Sequence, residues 1–478
     1  MCLPKDLKGV TIQRIATIVG NILCLNFGIM FGITPAHVQL YVEEQTPLNH
    51  VNSEDAVTWI FGCLFASAAL SSVLCGFFTQ NIGPRALLLL SGLLQIGSWF
   101  CVHFAYDIVH IYSSRILGGF AAGASLSVLP IYIAEISEES SSPALIATIE
   151  QWRTIGVLIG CLLGQHLQYE YVAVVAVCIS CAFTIMFPFS QESPYYYMRK
   201  GDVMGLEKSL RWFRGVRRMS DRNRPEFVRE LDEFKRGMER HIIAQDLVSH
   251  TYLCKMAVYT LVLFVGVQLS GTYVILAWSN QILTNDVFVG FSIDISVTIL
   301  ALTQFIGATI AVWLATMLKR KICLFVSAFV CGLATICLAI FIAVGVRGHL
   351  QWLSSALLLI HIFFANFGMY SLLSLIPSEM LDTKLRVSLT SISWGVSWLV
   401  TFILIQYFEC ISTIIGLHGY FIIFGVGCTA VAMLALVGLP ETRGKPLAEI
   451  QQIMGFRSAS EVSKNSVPQS GRINLERY

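Results

Sequence analysis

Five carboxamide side chains lie at membrane depth inside otherwise apolar stretches, and they are the residue types best suited to chemistry in this chain. They are Asn26, Gln151, Gln268, Gln304 and Asn366. A polar group in the middle of an apolar span costs free energy, so it marks a functional site or an interhelical hydrogen bond. Neutral amides suit a neutral, polyhydroxylated ligand, and Trp278, Trp394 and Trp398 could stack on the apolar face of its ring. Each residue alone is more often core filler, so only their convergence predicts a binding site.

Charged residues are expected to be absent from the same depth. On the span limits given below, we expect no Asp, Glu or Lys in the middle of any span. A carrier that couples transport to protons needs a titratable group there. The pattern therefore favours passive, downhill transport, and it disfavours a carrier of organic ions because no mid-span charge would neutralise the substrate.

Motifs of enzymes and metal proteins are absent from the sequence. It has no phosphate-binding Gly-x4-Gly-Lys-Ser/Thr loop, no His-Glu-x-x-His pair and no Cys-x-x-Cys pair with further ligands. Its ten His residues are scattered singly. We therefore expect no enzyme, no catalytic residue, no cofactor and no metal site.

The composition describes the elements that must position these side chains. With 55% hydrophobic and 13% charged residues in 478, the chain is a polytopic membrane protein. Because a helix needs about 20 apolar residues to cross a bilayer, the sequence predicts twelve transmembrane helices. Their approximate limits are 12–33, 57–78, 86–105, 108–133, 145–166, 171–190, 256–283, 291–318, 322–345, 352–377, 387–408 and 415–438. The runs lack the period-two alternation of a transmembrane barrel, so the fold class is an all-α membrane protein.

A charged segment, Gln191 to Lys255, divides the spans into two groups of six. It holds 14 Lys/Arg and 10 Asp/Glu, and spacing within it predicts an amphipathic helix over 225–240. With the N-terminus inside, nearly all basic loop residues fall on one side and only Arg347 falls outside. We therefore expect both termini to be cytoplasmic. The predicted domains are a six-helix half (1–190), a cytoplasmic linker with short helices (191–255), a second six-helix half (256–438) and a largely disordered tail (439–478).

Net charge and internal repetition bear on partners. The net charge is only +2, so nucleic acid is not an expected partner, whereas the lipid bilayer is. The pairs Arg85 and Arg320, and Glu192 and Glu441, recur at near-constant separation and indicate duplication. Transporters built from repeats bind substrate between the halves near mid-membrane. Glycines spaced four apart predict close helix packing; they are Gly28 and Gly32, Gly119 and Gly123, and Gly156, Gly160 and Gly164.

Several motifs together resemble the sugar porter family of the major facilitator superfamily, and within it the insect trehalose and hexose facilitators. They are Arg115-Ile-Leu-Gly-Gly with Pro130-Ile-Tyr-Ile-Ala-Glu135, Glu192-Ser-Pro-Tyr-Tyr with Trp212-Phe-Arg-Gly215, Gln268-Leu-Ser-Gly271, Glu379 with Arg386, and Pro440-Glu-Thr-Arg-Gly-Lys445. The resemblance covers nearly the whole chain. It implies the major facilitator fold and facilitative transport of a sugar such as a hexose or trehalose, at the plasma membrane.

The resemblance also implies a substrate pocket. Gln151 and Gln268 look like the family's sugar-binding glutamines of helices five and seven, Gln304 stands where a helix-eight asparagine occurs, and Trp398 matches a tryptophan of helix eleven. Four positions depart from the pattern, namely Val267, Tyr273, Ser374 and Ser397. The expected substrate-binding set is Gln151, Gln268, Tyr273, Gln304, Ser374, Ser397, Trp398 and the mid-span Asn26.

A second implied set forms a latch of salt bridges at the cytoplasmic helix ends, which must break for the inner gate to open. It comprises Arg115, Glu135, Glu192, Glu379, Arg386, Glu441 and Arg443. The four altered pocket positions leave a second hypothesis open, a sugar sensor or transporter-like protein with lost or altered specificity. Sugar binding without flux would select it. The sequence does not indicate the oligomeric state.

Overall fold

The computed structural model describes residues 9–36, 54–216, 225–243, 250–284, 292–345, 350–445 and 447–453. The expected disordered tail lies outside these residues from 454 onward. The same holds for Arg347 and for residues 217–224 and 244–249 of the expected linker.

Within the described residues, twelve helices are long and apolar enough to cross a membrane. Backbone polar groups in a bilayer must be satisfied internally, and a helix achieves this within one segment. The first six are α1 (Gly9–Ala36), α2 (Thr58–Ile82), α3 (Pro84–His103), α4 (Ile108–Ile136), α5 (Ser142–His166) and α6 (Tyr169–Phe189). The second six are α7 (Cys254–Ala277), α8 (Ile293–Leu314), α9 (Arg320–Val344), α10 (Gln351–Met380), α11 (Leu385–Gln406) and α12 (Phe408–Gly438). The predicted count of twelve and the fold class are confirmed.

Two helices of the second half are irregular near mid-membrane. In α7 the first stretch ends at Gln268 and a short helix begins at Thr272. Gly271 between them has φ +79°, and a Cβ there would lie 2.3 Å from Cε1 of Phe424. The predicted span 256–283 corresponds to α7 (Cys254–Ala277), and the helix breaks inside it at Gly271, where only glycine fits. In α10 the residues Ala365–Tyr370 widen into a π-helical turn, a feature frequent at functional sites.

Glycines bring α1 and α5 into close contact, as their spacing predicts. A Cβ added to Gly156 would lie 2.1 Å from the carbonyl oxygen of Leu25, and one added to Gly28 would lie 2.1 Å from that of Arg153. Backbone thus packs against backbone without intervening side chains. This contact fixes the depth and rotation of α5, which carries Gln151.

The two six-helix halves contact each other at both ends of the bundle. At the end that carries the linker, Nε2 of Gln80 on α2 lies 3.3 Å from Oγ of Ser388 on α11. At the opposite end, Nδ2 of Asn280 donates to the carbonyl of Pro35 at 3.1 Å. These contacts join the two halves at both ends of the bundle.

The linker forms helices Pro194–Lys200, Val203–Phe213 and Pro225–Ile243. The last of these contains the predicted amphipathic helix, and its apolar face joins Leu206 and Leu210 in a second small core. Nη1 of Arg214 donates to the carbonyl of Ile136 at 3.0 Å. The linker helices are therefore attached to the end of α4, and that end of the bundle is called the linker end below.

Candidate functional site

A buried ion pair occupies the middle of α5. Nε of Arg153 lies 2.9 Å from Oε2 of Glu150, and Nη2 bonds Oε1 of the same carboxylate. Arg153 is 1% exposed, and Glu150 is 9% exposed, so both residues are buried. The expectation of no acidic residue in the middle of a span is wrong, because Glu150 lies about two turns inside the membrane helix rather than at its end. A charged pair spaced three apart on a helix was the signal in the sequence.

Arg153 also reaches across to the second half. Nη2 donates to Oδ1 of Asn366 on α10 at 3.2 Å. The guanidinium carbon lies 5.1 Å from the ring centroid of Tyr273 and 5.9 Å from that of Tyr370. Such cation–π contacts are strongest where water is excluded. One α5 side chain therefore contacts α7 and α10 together.

Gln268 lies on the second-half side of this cluster. Its Oε1 accepts a hydrogen bond from the hydroxyl of Tyr370 at 3.3 Å. Its Nε2 is buried and has no partner among the described residues. A buried amide without a partner costs free energy, so this nitrogen is available to a ligand. The break after Gln268 in α7 positions the amide at this depth.

Two more of the predicted amides are Gln304 on α8 and Gln151 on α5. Gln304 on α8 is fully buried, and neither its Nε2 nor its Oε1 has a partner within the described part of the chain. Gln151 donates from Nε2 to Oγ1 of Thr309 at 3.2 Å and so bridges the halves. Both polar atoms of Gln304 are free to donate to and accept from a ligand hydroxyl.

Aromatic rings from both halves close around Tyr273. Its ring lies 5.3 Å from that of Phe31, 5.7 Å from that of Phe65 and 5.5 Å from that of Trp398, centroid to centroid. Trp398 in turn stacks on Trp394 at 5.2 Å. These five rings are called the aromatic box below. Three buried polar atoms of its tryptophans and of the neighbouring serine have no partner among the described residues: Nε1 of Trp394, Nε1 of Trp398 and Oγ of Ser397.

Two members of the expected substrate-binding set are not among the described residues that have buried, unpartnered polar atoms. Asn26 donates to the carbonyl of Ala176 at 3.1 Å and to Ser180, and it accepts from Nε1 of Trp99. Its bonds are thus made inside the first half. Ser374 is half-buried on α10, one turn beyond Tyr370.

At the linker end, each half contains the same hydrogen bond, from the backbone N–H of an arginine at the start of a helix to a glutamate carboxylate. Oε1 of Glu192 accepts from the backbone N–H of Arg85 at 3.1 Å, at the start of α3. Oε1 of Glu441 accepts from the backbone N–H of Arg320 at 2.9 Å, at the start of α9. A carboxylate there satisfies an orphan donor and complements the helix dipole. Burial raises the pKa of Glu192 to about 7, against the backbone hydrogen bonds from Arg85 and Ser193 that lower it.

Among the described residues, the ion pairs of the expected latch do not cross from one half to the other. Glu135 pairs with Arg199 of the linker at 2.9 Å, and Glu379 pairs with Arg320 at 2.9 Å. Arg443 donates from its backbone N–H to Glu441 at 3.0 Å.

Arg386 is the member that faces the other half. Its Nη2 donates to the carbonyl of Leu381 at 3.1 Å. Its charge is close enough to Tyr195 and to the carboxylate of Glu135, both outside the second half, to interact with them. At the linker end, Arg386 therefore contributes an attraction between the halves.

The placement of Arg115 corrects the sequence-based expectation. Arg115 and Glu135 share α4 and are separated by about 30 Å at the helical rise. Arg115 donates from Nη1 to the carbonyl of Met30 at 3.0 Å, away from the linker end. It therefore does not join the charged cluster of Glu135, because one helix cannot bring both residues to the same end.

Comparison with known sequences supports one family. The family model described as "Sugar (and other) transporter" matches residues 14–454 of this chain. The facilitated trehalose transporter Tret1 of Bombyx mori is 24% identical over 462 residues, which cover 95% of this chain and 89% of the relative. The same-named protein of Apis mellifera ligustica is 25% identical over 455 residues, covering 92% and 88%.

Solved structures share the fold. The proton:xylose symporter XylE bound to 6-bromo-6-deoxy-D-glucose superposes with a TM-score of 0.76 at 16% identity, over 92% of this chain and 98% of that one. The inward-open xylose transporter XylE from E. coli gives 0.68 at 15% identity, over 91% and 98%. At this identity the likeness establishes the major facilitator architecture of two six-helix halves.

Proposed function

Because the chain belongs to the family of sugar and other transporters, we propose that it carries a sugar, such as a hexose or trehalose, passively across a membrane by alternating access. The relatives named above are transporters, so the proposal includes no enzymatic reaction. In this mechanism the halves rock about a central site that opens to one side at a time.

One structural observation carries the proposal. Nε2 of Gln268 and both polar atoms of Gln304 are buried in the second half without partners among the described residues, and Gln268 bonds Tyr370, whose ring lies 5.7 Å from that of Tyr273 in the ring cluster. Amides that can donate and accept match hydroxyl groups, and an aromatic face matches the C–H face of a sugar ring. A sugar would satisfy the polar groups that the described structure leaves without partners.

We assign the substrate-binding residues within this frame. Gln268, Gln304 and Gln151 would bind hydroxyls, while Trp398, Tyr273 and Ser397 would form the second-half wall. Asn26 and Ser374 remain members of the expected set. Asn26 would act through the packing of α1 on α3 and α6, since its hydrogen bonds are made there.

The support for passive transport comes from the relatives and not from a lack of charged residues in the middle of the spans. Glu150 is a titratable group in the membrane interior, so the argument from the lack of such a residue no longer holds. The relatives described as facilitated transporters support a uniporter instead.

The orientation proposed for the chain places the linker end in the cytoplasm. Its support is the basic composition of the linker. The plasma membrane is the proposed location. The charged residues of the expected latch, other than Arg115, would form the inner gate.

Uptake by purified protein in liposomes tests the function. We expect saturable entry of labelled hexose or trehalose that is unaffected when a proton ionophore collapses the pH gradient. Absence of flux across a broad sugar panel would contradict transport. Sugar binding without flux would select the sensor hypothesis, which the transporter relatives do not favour.

A further inference from the structure

The Glu150–Arg153 pair brings a full positive and a full negative charge to the proposed binding site. Glu150 takes up both Nε and Nη2 of Arg153, so the carboxylate covers one edge of the guanidinium. The Arg153 side chain is 2% exposed and that of Glu150 is 11% exposed. In the described structure no other charged side chain bonds to either residue. The pair is therefore neutral as a unit, but each partner alone would be a buried charge.

Arg153 lies next to the groups that would hold a sugar. Its guanidinium faces the ring of Tyr273, which belongs to the aromatic box, and that of Tyr370, whose hydroxyl bonds Gln268. In a site that excludes water, charges act over longer distances than in solvent. A ligand between Gln268 and the box would therefore sense the charge state of the pair.

We propose that Glu150 is a specificity-determining residue: by cancelling the charge of Arg153, it makes the central site select neutral sugars over sugars that carry a carboxylate. The inference rests on the proposed transport function and names the substrate class within it. An anionic sugar would place a third charge, negative like that of Glu150, beside a pair that is already compensated. A buried charge without a partner is strongly disfavoured, so the neutral pair rejects it.

The proposal predicts a reversal on removal of one partner. In Glu150→Gln the shape of the side chain is kept, but Arg153 is left as an uncompensated cation that a carboxylate can neutralise. The measurement is how strongly unlabelled glucuronate and unlabelled glucose each inhibit the uptake of labelled sugar. We expect the ratio of inhibition by glucuronate to inhibition by glucose to rise about tenfold or more. The double variant Glu150→Gln/Arg153→Gln removes both charges, and its ratio should return towards that of the unmodified protein.

A matched control is available in the linker. Glu230→Gln breaks the ion pair of Glu230 with Arg214, which lies far from the central site. It should leave the glucuronate-to-glucose ratio unchanged. A rise in this control equal to that in Glu150→Gln would overturn the proposal, because the effect would then not depend on the central charge.

The readout combines flux with ligand-induced thermal stabilisation, so a variant that binds without transporting still reports. An unchanged ratio in monodisperse Glu150→Gln overturns the charge filter while leaving sugar transport intact. If the unmodified protein neither transports nor is stabilised by any neutral sugar, the proposed function fails and the filter with it. Should Glu150→Gln not fold, Arg153→Gln gives the reciprocal test. Its free carboxylate should favour protonated glucosamine over glucose about tenfold, and an unchanged preference overturns the proposal.

Discussion

Nη2 of Arg153 lies 3.2 Å from Oδ1 of Asn366, and this hydrogen bond joins α5 of the first half to α10 of the second. Both residues are buried, so the bond is made without competition from water. At the linker end, by contrast, Glu135 and Glu379 find their ionic partners outside the opposite half. The centre thus contains a direct polar contact that must rearrange when the halves rock apart.

Removal of this acceptor should destabilise the protein. In Asn366→Leu, Arg153 keeps Glu150 but Nη2 loses its cross-half acceptor. We expect a loss of about 1–3 kcal/mol of stability, seen as a lower unfolding temperature in detergent. Thr429→Val, which removes an exposed hydroxyl on α12, is the control and should unfold like the unmodified protein. An unaltered unfolding temperature in Asn366→Leu would show that the contact contributes nothing.

Loss of the amide at Gln268 should abolish transport. The Gln268→Ala variant removes the free Nε2 and leaves the Tyr370 hydroxyl without its acceptor. We expect loss of sugar uptake with surface expression intact, measured by flux and by surface labelling. Gln281→Ala is the matched control, since Gln281 is exposed at the opposite end and bonds Glu409. Normal flux in Gln268→Ala would remove this residue from the binding site.

Arg386→Ala should favour opening of the linker end, which is the inward-facing state in the proposed orientation. The substitution removes a positive charge that faces Glu135 and Tyr195. We expect Ser388→Cys at the linker end to react faster with a maleimide, and Asn280→Cys at the opposite end to react more slowly. Arg229→Ala removes an exposed linker charge and serves as control. Equal labelling with and without Arg386 would exclude it from the latch.

Glu192 should make stability depend on pH. Because burial raises its pKa from 4.5 to about 7 in the folded protein, the folded state binds the proton more tightly than the unfolded state. The stabilisation is then complete below about pH 4.5 and is lost as the pH rises through 7. In Glu192→Gln this part of the pH dependence should disappear from unfolding temperatures measured between pH 4.5 and 8. An identical slope in both proteins would contradict the assignment.

A methyl group at Gly156 should not fit between α1 and α5. In Gly156→Ala the new Cβ would lie 2.1 Å from the carbonyl oxygen of Leu25, so one backbone must move. Overpacking of this kind costs about 1–3 kcal/mol, and we expect a lower unfolding temperature. Gly97→Ala is the control, because its Cβ would lie 3.7 Å from Cδ1 of Leu117. Equal stability of the two variants would count against close packing here.

The sequence by itself determined the architecture of this protein. Twelve apolar runs of sufficient length specify twelve helices, because a bilayer allows no other way to satisfy the backbone along a run of that kind. The glycine spacing on α1 and α5 predicted that each helix packs closely against a neighbour, because small residues let backbones approach, and the structure shows that they pack against each other. Gln268 and Gln304 were recognisable as candidates because a polar side chain in the middle of a membrane span costs free energy whichever way it is oriented.

Only the tertiary structure decided what those side chains contact. Arg153 contacts Asn366 and Tyr273, each more than a hundred residues away along the chain, and no local pattern encodes these contacts. The bonds of Asn26 likewise followed from the packing of α1 on α3 and α6. The separation of Arg115 from Glu135, by contrast, follows from their spacing along one helix. Helix formation depends on neighbours along the chain, whereas the site depends on helices packed from both halves.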